Sequence, residues 1–409
     1  MSFQQGLSGL SAASKTLEAI GNNVANANTI GFKDSQAIFC DVYAASLTGS
    51  GNAQIGIGTR LSQVAQRFTQ GNVTASNNPL DIAVNGGGFF RMSTNGAVSY
   101  SRNGQFQLDK SGYIINAGNA RLTGYVADSR GILSTGAPAE INIRSSDLPP
   151  QLTTTVEAML NLDSRKDVPV TTPFSIDDPT TYNNATSVSV FDSLGNAHVL
   201  QTFYVKTAPG AWDVYAAADE AIINGGVAIG SLAFGTDGAL TAASQASLPL
   251  TASIPVTTGA ADPLAVGIDF SGTSQFGSSF SVNQLDQDGY TSGRLSGFGV
   301  APDGLLMGRY TNGKSAVLGQ VVLASFANNN GLQPLGSNLW SETAESGSPM
   351  VGAPTSGNLG ALQSNAVEDS NVDLTAELVN MITAQRNYQA NAQTIKTQDQ
   401  VMQTLVNLR

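Results

Sequence analysis

The clearest hydrophobic pattern lies near the C-terminal end of the chain. From Leu374 onward, apolar residues recur at alternating steps of four and three positions, and neither proline nor glycine interrupts the run to Arg409. This spacing predicts one long helix with a single apolar seam. Ser370 and Asp373 form a capping-box pattern, or Asp373 caps the helix alone; either reading places the first turn near Leu374.

The N-terminal end repeats the same spacing from Phe3 to Val24. It predicts a second helix, which we expect to fray at the asparagines after Gly21 and to stop by Gly31. Amphipathic helices at both ends of one chain favour a coiled coil in which the ends meet. The alternative is a terminal helix packed on its own globular domain.

A lone pair of such helices would be only marginally stable. Ordering each residue costs about 1 to 2 kcal/mol, which the burial of one seam and the helical hydrogen bonds only roughly offset. Apolar residues off the seam require a second neighbour, so we predict that further copies of the chain cover them. The predicted assembly residues are Phe3, Leu7, Leu10, Leu17, Val24, Leu374, Leu378, Met381, Ile382, Tyr388, Ile395, Met402, Leu405 and Val406.

Between the ends, the pattern changes to that of β-structure. Residues 31–70 carry few regular signals and are interpreted as an extended connector, with an ordinary long loop as the alternative. From Gly71 the chain alternates: Leu80 to Val84 predicts a strand, the glycines at 86–88 a tight turn, and Phe89 and Phe90 the next strand. Asparagine–glycine turns then follow at hairpin spacing, which predicts a β-meander.

A second β-rich region begins after Pro149-Pro150. Alternating residues from Thr155 predict a half-buried strand, and the turn at 192–197 predicts a hairpin. Small residues dominate 216–280, and the first β pattern returns from Tyr290. The order helix, connector, β, outer β, β, helix is palindromic, which nested insertion of domains explains most simply.

The predicted fold is therefore mostly β with long α-helical termini, with nested discontinuous β domains on a terminal-helix coiled coil. The predicted divisions are 1–30 with 370–409 for the helical domain, 31–70 with 355–369 for the connector, 71–147 with 291–354 for the inner β domain, and 148–290 for the outer β domain.

Composition narrows the functional classes. Only 12% of residues are charged and the net charge is -11, and no basic run is present to neutralise phosphates, which argues against nucleic acid or an anionic membrane as partner. With one cysteine and one histidine, no metal, cofactor or catalytic residue is predicted. We expect Cys40 to be a small buried apolar residue and His198 to be a solvated turn residue rather than a ligand.

Other candidate sites are weak. Asp286, Asp288 and Gly289 resemble the start of a calcium loop, but Gly297 stands where the bidentate glutamate belongs. The glycine triplet lacks the lysine of a phosphate loop. Paired acids, Asp177-Asp178 or Asp286 with Asp288, leave a secreted β-rich hydrolase as a remote alternative.

Targeting signals are absent from the sequence. The N-terminus has no basic leader, apolar core or cleavage site, and no run of about 18 apolar residues predicts membrane insertion. By these signs the protein is cytoplasmic, or it is exported by a route that needs no cleaved peptide.

Several motifs resemble the axial rod/hook family of the bacterial flagellum, and most closely its hook members. They lie at 22–33, 80–90, 100–106, 122–125 and in the C-terminal helix, whereas 148–290 matches less distinctively. The motif residues singled out are Asn22, Asn23, Asn26, Gly31, Phe32, Lys33, Leu80, Asp81, Gly86, Phe89, Phe90, Arg102, Asn103 and Gly104.

The resemblance implies a non-enzymatic structural subunit that self-assembles into a hollow curved tube, the flexible joint that transmits motor torque from rod to filament. It also implies unfolded export through the flagellar type III apparatus, and partners that include the distal rod protein, the hook cap and the hook–filament junction proteins. The protein would then lie in an extracellular appendage. A distal rod or other axial or hook-associated protein is the nearest alternative; the size of 148–290 argues against distal rod.

Overall fold

The computed structural model describes residues 2–42, 56–128, 131–143 and 147–407. It confirms a mostly β fold with a long helix at each end. The helices are α1 (Ser2–Ala25), α2 (Ala242–Ala246) and α3 (Leu374–Asn407), with 3-10 turns at Pro179–Thr181, Asn224–Gly226 and Asn329–Gly331.

The strands are β1 (Ser35–Val42), β2 (Gly58–Gln66), β3 (Val73–Ala75), β4 (Ile82–Asn85), β5 (Phe89–Thr94), β6 (Ala97–Ser101), β7 (Gln107–Leu108), β8 (Ile114–Ile115), β9 (Arg121–Val126), β10 (Ala139–Glu140), β11 (Thr155–Asp163), β12 (Asn184–Phe191), β13 (Ala197–Ala208), β14 (Ala211–Ala218), β15 (Ala221–Ile222), β16 (Gly230–Ala233), β17 (Leu250–Ile254), β18 (Leu264–Asp269), β19 (Ser274–Phe276), β20 (Ser281–Gln287), β21 (Leu295–Val300), β22 (Leu305–Tyr310), β23 (Ser315–Val321), β24 (Leu323–Ser325), β25 (Gln333–Gly336), β26 (Leu339–Ser341), β27 (Met350–Gly352), β28 (Ala361–Ser364) and β29 (Ala366–Glu368).

The chain forms two compact units. The terminal-helix unit comprises Met1–Ser145, Gly297–Arg309 and Ser315–Arg409, and the insert unit comprises Ser146–Ser296 and Tyr310–Lys314. The finer division into four domains stays a prediction.

The terminal-helix unit is built on a large antiparallel sheet whose central order is β23-β9-β5-β6-β26-β25. Aromatic side chains fill its core: the ring of Phe89 packs edge-on against Phe68, Phe326 and Trp340, with centroids 5.4 to 6.0 Å apart. Edge-to-face packing of this kind stabilises a core beyond simple burial.

The predicted strand, turn and strand from Leu80 to Phe90 are present as β4 and β5, but these two strands do not pair with each other. The strand beginning near Leu80 does not pair with β5; β4 pairs with β28, whereas β5 pairs with β6, β9 and β24. Gly86 and Gly88 have φ of 113° and 116°, so the turn redirects the chain out of hairpin geometry. Residues from Leu80 to Val84 are also buried on both faces rather than alternating.

The segment interpreted as an extended connector contains a regular element. Strands β1 and β2 form an antiparallel pair, with a register shift between Ile38 and Phe39. Both faces of this pair remain partly exposed, as Ile38 and Val64 illustrate. The bulge and the lack of a buried face remove the alternation that would have indicated strands.

The insert unit contains two five-stranded sheets. One is ordered β12-β13-β14-β15, with β16 paired to β14, and the other is ordered β17-β18-β11-β19, with β20 paired to β11. Their facing sides enclose an apolar core that includes the fully buried Trp212, Tyr204 and Phe270. The predicted strand from Thr155 is β11, and the predicted hairpin is the pair β12–β13; both predictions are confirmed.

The prediction of a solvated His198 was wrong. Its side chain is buried, with Nδ1 2.6 Å from Asp219 Oδ2 and Nε2 3.5 Å from Asp192 Oδ2. The hydrogen bond with Asp219 is the main cause of a raised His198 pKa. Asp219 comes from the end of the neighbouring strand β14, a long-range contact that turn spacing does not reveal.

The other isolated candidates have structural roles. Cys40 is half-exposed rather than buried, because it lies on β1, where Arg60 Nε donates to its Sγ at 3.2 Å. Asp178 accepts a hydrogen bond from the Thr180 backbone, and Asp288 accepts one from the Thr154 backbone. Within the described ranges no group of three or more His, Cys, Asp or Glu side chains is placed to hold a metal, and no described helix is long and apolar enough to cross a membrane.

Candidate assembly interface

Helices α1 and α3 pack against each other, so the predicted meeting of the two ends is confirmed. Their closest approach uses glycine. A Cβ at Gly6 would lie 3.0 Å from Ile395 Cγ1, and one at Gly9 would lie 2.7 Å from Asn391 Oδ1. The absence of side chains at these two positions therefore allows the helices to approach closely.

The buried face of α1 is not the predicted seam. The buried side chains of α1 are those of Ala13, Ile20 and Asn23, on the same face as Gly6. Phe3 and Leu7 are 52% and 54% exposed, whereas Leu10, Leu17 and Val24 are half-buried. The seam thus lies beside the intramolecular contact and leaves α1 with uncovered apolar surface.

Helix α3 begins where the sequence predicts. The Asp373 carboxylate accepts hydrogen bonds from the backbone N–H groups of Thr375 and Ala376, which is N-cap geometry. Along the rest of the helix only Glu377 and Ala384 are buried among the described side chains. A helix of 34 residues with so little burial needs another partner to be stable.

Most predicted assembly residues of α3 are exposed in the single chain. Met381 and Ile395 are half-buried, and the Leu405 side chain lies outside the described residues. Val379 and Val401, which are not in the predicted set, are also exposed. The exposed members of the predicted set are Leu374, Leu378, Ile382, Tyr388, Met402 and Val406.

Where the two helices leave the β core, a buried charge cluster joins three distant segments. We call Lys33, Arg102 and Glu368 the Glu368 clamp. The Glu368 carboxylate lies 2.6 Å from Lys33 Nζ and 3.1 Å from Arg102 Nη1, and the three side chains are at most 4% exposed. The Gly71 backbone N–H also donates to Glu368 Oε1 at 3.0 Å.

The clamp cations have further partners. Lys33 Nζ donates to the carbonyl of Thr69, and Arg102 Nη2 donates to that of Gly86. Burial lowers the pKa of both Lys33 and Arg102, and the adjacent Glu368 carboxylate opposes that effect. Because a buried charge without its partner is costly, removing any one member should destabilise the other two.

A second polar group lies beside the clamp. Arg67 pairs with the buried carboxylate of Asp34, and its Nε donates to Asp34 Oδ2 at 2.7 Å. Asn371, just before α3, donates to Asp34 Oδ1 and accepts from the Asp34 N–H. The hydrogen bond to Asp34 raises the pKa of Arg67. The segments after α1 and before α3 are thereby joined directly.

The structure brings many motif residues to this place. Asn23 exchanges two hydrogen bonds with the backbone of Ser35, which fixes the exit from α1. Gly31, at φ 72°, lies so close to Asn103 that a Cβ would be 2.6 Å from its backbone nitrogen.

Other motif residues lie at the end of α1 or in the β core. Asn22 and Asn26 bond to each other at the end of α1, and Phe32 is half-buried. Asp81 accepts a hydrogen bond from the Asn78 side chain. Leu80, Phe89 and Phe90 are buried, and the Arg102 guanidinium lies 5.4 Å from the centre of the Phe89 ring. Sequence reasoning missed Glu368 and Asn371; the lone acid in the buried strand β29 was the available signal.

Models of flagellar protein families match successive parts of the chain. Family models match as Flagella basal body rod protein at residues 3–33, Flagellar hook protein FlgE/F/G D1 domain at 83–191, Flagellar basal body protein FlaE D2 domain at 161–290, and Flagellar basal body rod FlgEFG protein C-terminal at 363–408.

Full-length relatives agree with these models. Flagellar hook protein FlgE of Salmonella typhimurium is 42% identical and that of Escherichia coli 41%, each over 100% of both chains. The crystal structure of Helicobacter pylori flagellar hook protein FlgE2 covers 72% of this chain and 100% of that one with a TM-score of 0.52, and at 13% identity it shows similarity of fold alone. The full-length identity shows that the chain belongs to the flagellar hook protein FlgE family, whose members are structural proteins of the hook and not enzymes.

Proposed function

We propose that this hook protein polymerises into a hollow, curved tube that acts as a flexible joint and transmits motor torque from the rod to the filament. The observation that carries the proposal is the apolar surface left uncovered on α1 and α3. In a homopolymer, further copies of the same chain would cover this surface.

The energetics support such assembly. Burying one exposed large apolar side chain contributes about 1.5 to 3 kcal/mol. The exposed set on α1 and α3 therefore contributes on the order of 10 kcal/mol per subunit, before the entropy of association and helix ordering is subtracted. That gain is available only in a polymer that places neighbouring helices against both exposed faces.

The flexible-joint role draws support from the insert unit. Residues 216–280 are dominated by threonine, serine, alanine and glycine and contain few charges. Small, weakly charged surfaces form few specific contacts, so neighbouring subunits can slide as the tube bends. In this proposal the terminal helices of successive subunits contact one another along the tube, and the β-sheet regions of the chain lie outside the helices.

We extend the proposal to the route and partners of the protein. The chain passes unfolded through the flagellar type III apparatus without a cleaved signal and assembles outside the cell. One end of the tube contacts the distal rod protein, and the other contacts first the hook cap and then the hook–filament junction proteins.

Electron cryomicroscopy of the concentrated, purified protein tests the tube directly. The expected result is a hollow, curved tube whose inner wall consists of α1 and α3. Solid aggregates, or a tube with these helices on its outer surface, would contradict the proposal.

A further inference from the structure

The Glu368 clamp connects positions that are far apart in sequence. Lys33 and Glu368 are 335 residues apart, yet Lys33 Nζ and Glu368 Oε1 are 2.6 Å apart with both side chains fully buried. Glu368 lies in β29, five residues before Asp373, which caps α3, and the Lys33 segment follows α1. A single carboxylate therefore fastens the exits of both terminal helices.

The backbone around the clamp strengthens this connection. The Gly31 N–H donates to the carbonyl of Glu368 at 2.8 Å, and the Asp369 N–H donates to the carbonyl of Asn72 at 2.8 Å. Arg102, which binds the other carboxylate oxygen, follows β6 in the core sheet. The clamp thus joins the segment after α1, the segment before α3 and the β core at one buried position.

We propose that Glu368 is a positioning residue for hook assembly: its carboxylate fastens the two helix exits to the β core, so that α1 and α3 begin side by side. This inference rests on the proposed function, because the pairing it promotes is the pairing used in the polymer. Two segments that are fixed at neighbouring origins have a high effective concentration for each other, whereas free ends must first close a long loop.

The clamp also separates a stably folded part of the monomer from a less stable part. It belongs to the buried core, whereas α3 exposes most of its apolar side chains and α1 exposes Phe3 and Leu7. In the soluble monomer the clamp is therefore closed while the helices beyond it open readily. Assembly then has to order the helices, but the end of α1 and the start of α3 are already held next to each other.

The test compares Glu368→Gln with the wild type and with Glu140→Gln. Glu140 forms a matched pair with Arg121, at 2.6 Å, in the same unit, but that pair is partly exposed to solvent rather than buried. Hydrogen exchange of peptides containing Gly31 and Gly71 reports on the clamp in the monomer. In E368Q these peptides should exchange at least about tenfold faster, and the critical concentration for polymerisation should rise at least about tenfold. E140Q should match the wild type in both measurements.

A second variant separates positioning from packing. In K33M/R102M/E368M all three charges are replaced by apolar side chains, which commonly restores the stability of a buried ionic site. We expect its melting temperature to recover toward the wild-type value while its critical concentration stays raised, because no carboxylate remains to fix the two helix exits to the β core. If E368Q does not fold, this variant alone decides the question.

Two results would overturn the inference: wild-type exchange and assembly in E368Q, or full recovery of assembly in the triple variant. Failure of the wild-type protein to polymerise would instead count against the proposed function. In that case the exchange measurement on the monomer still tests the clamp.

Discussion

Gly104 shows, at the scale of single residues, how closely the backbone packs beside the clamp. Its φ is not in the left-handed region, but a Cβ at this position would lie 1.7 Å from the carbonyl oxygen of Ile82. The Ile82 N–H also donates to the Gly104 carbonyl at 2.9 Å. Glycine is therefore required here for close approach rather than for turn geometry.

Replacing Gly104 by alanine should destabilise the terminal-helix unit by about 3 kcal/mol or more, because a backbone segment has to move. Gly299→Ala is the control, since nothing lies within 4 Å of its Cβ position. That control should change the free energy of unfolding by less than about 1 kcal/mol. Chemical denaturation followed by Trp340 fluorescence measures both, and equal stabilities would contradict the close packing.

His198 gives the insert unit a pH dependence. Its hydrogen bond with Asp219 is the main cause of a folded-state pKa above the ordinary value of about 6.5. A raised pKa means that the stabilisation is complete below about pH 6.5 and is lost as the pH rises through the folded-state pKa. The melting temperature of the insert unit should therefore fall over that range.

His198→Gln removes the titrating group and should flatten this dependence. Trp212 fluorescence is suited to the measurement, because that side chain lies in the core of the insert unit. A wild-type melting temperature that is constant across the interval, or a variant that retains the slope, would show that His198 is not responsible.

At the scale of elements, local signals predicted more than long-range ones. The start of α3 followed from Asp373, because a cap acts within its own turn. The pairing of β4 with β28 could not be predicted in this way, because the partner strand is about 280 residues away along the chain. The Glu368 clamp was missed for the same reason: its three members are adjacent only after folding.

The sequence predicted that the helices carry apolar faces. It did not show which face packs within the chain and which stays exposed. Spacing indicated one seam on α1, whereas the structure places Ala13 and Ile20 inside and leaves Phe3 and Leu7 exposed. Close approach through Gly6 and Gly9 caused this difference, because spacing analysis scores apolar side chains and overlooks glycine contacts. How far the exposed seam forms subunit contacts stays a prediction.

Ile382 tests that prediction on α3. It is 51% exposed, so Ile382→Glu should leave the monomer folded but bury an unpaired charge in the polymer. We expect the critical concentration to rise at least about tenfold, which corresponds to about 1.4 kcal/mol per subunit. The neighbouring residue Thr383, exposed and about 100° around the helix axis from Ile382, provides the control Thr383→Glu. Sedimentation of polymer measures both; similar values for both variants would argue against a sided interface.

At the scale of the whole molecule, assembly should couple to helix order. In dilute monomer, peptides from α1 and α3 should exchange hydrogen quickly, because few of their side chains are buried. The same peptides should become protected in the polymer, while the β-sheet cores of the terminal-helix unit and of the insert unit stay protected in both states. Hydrogen exchange mass spectrometry makes the comparison, and full helix protection in dilute monomer would contradict coupled folding.

The most direct test of the central claim removes both terminal helices. Residues 26–373 retain the clamp, the sheets and the insert unit but lack the uncovered apolar surface. Electron microscopy of both proteins at matched high concentration should show hollow tubes for the full chain and dispersed particles for the truncated one. Tubes from the truncated protein, or none from the full chain, would contradict the claim that the terminal helices build the polymer.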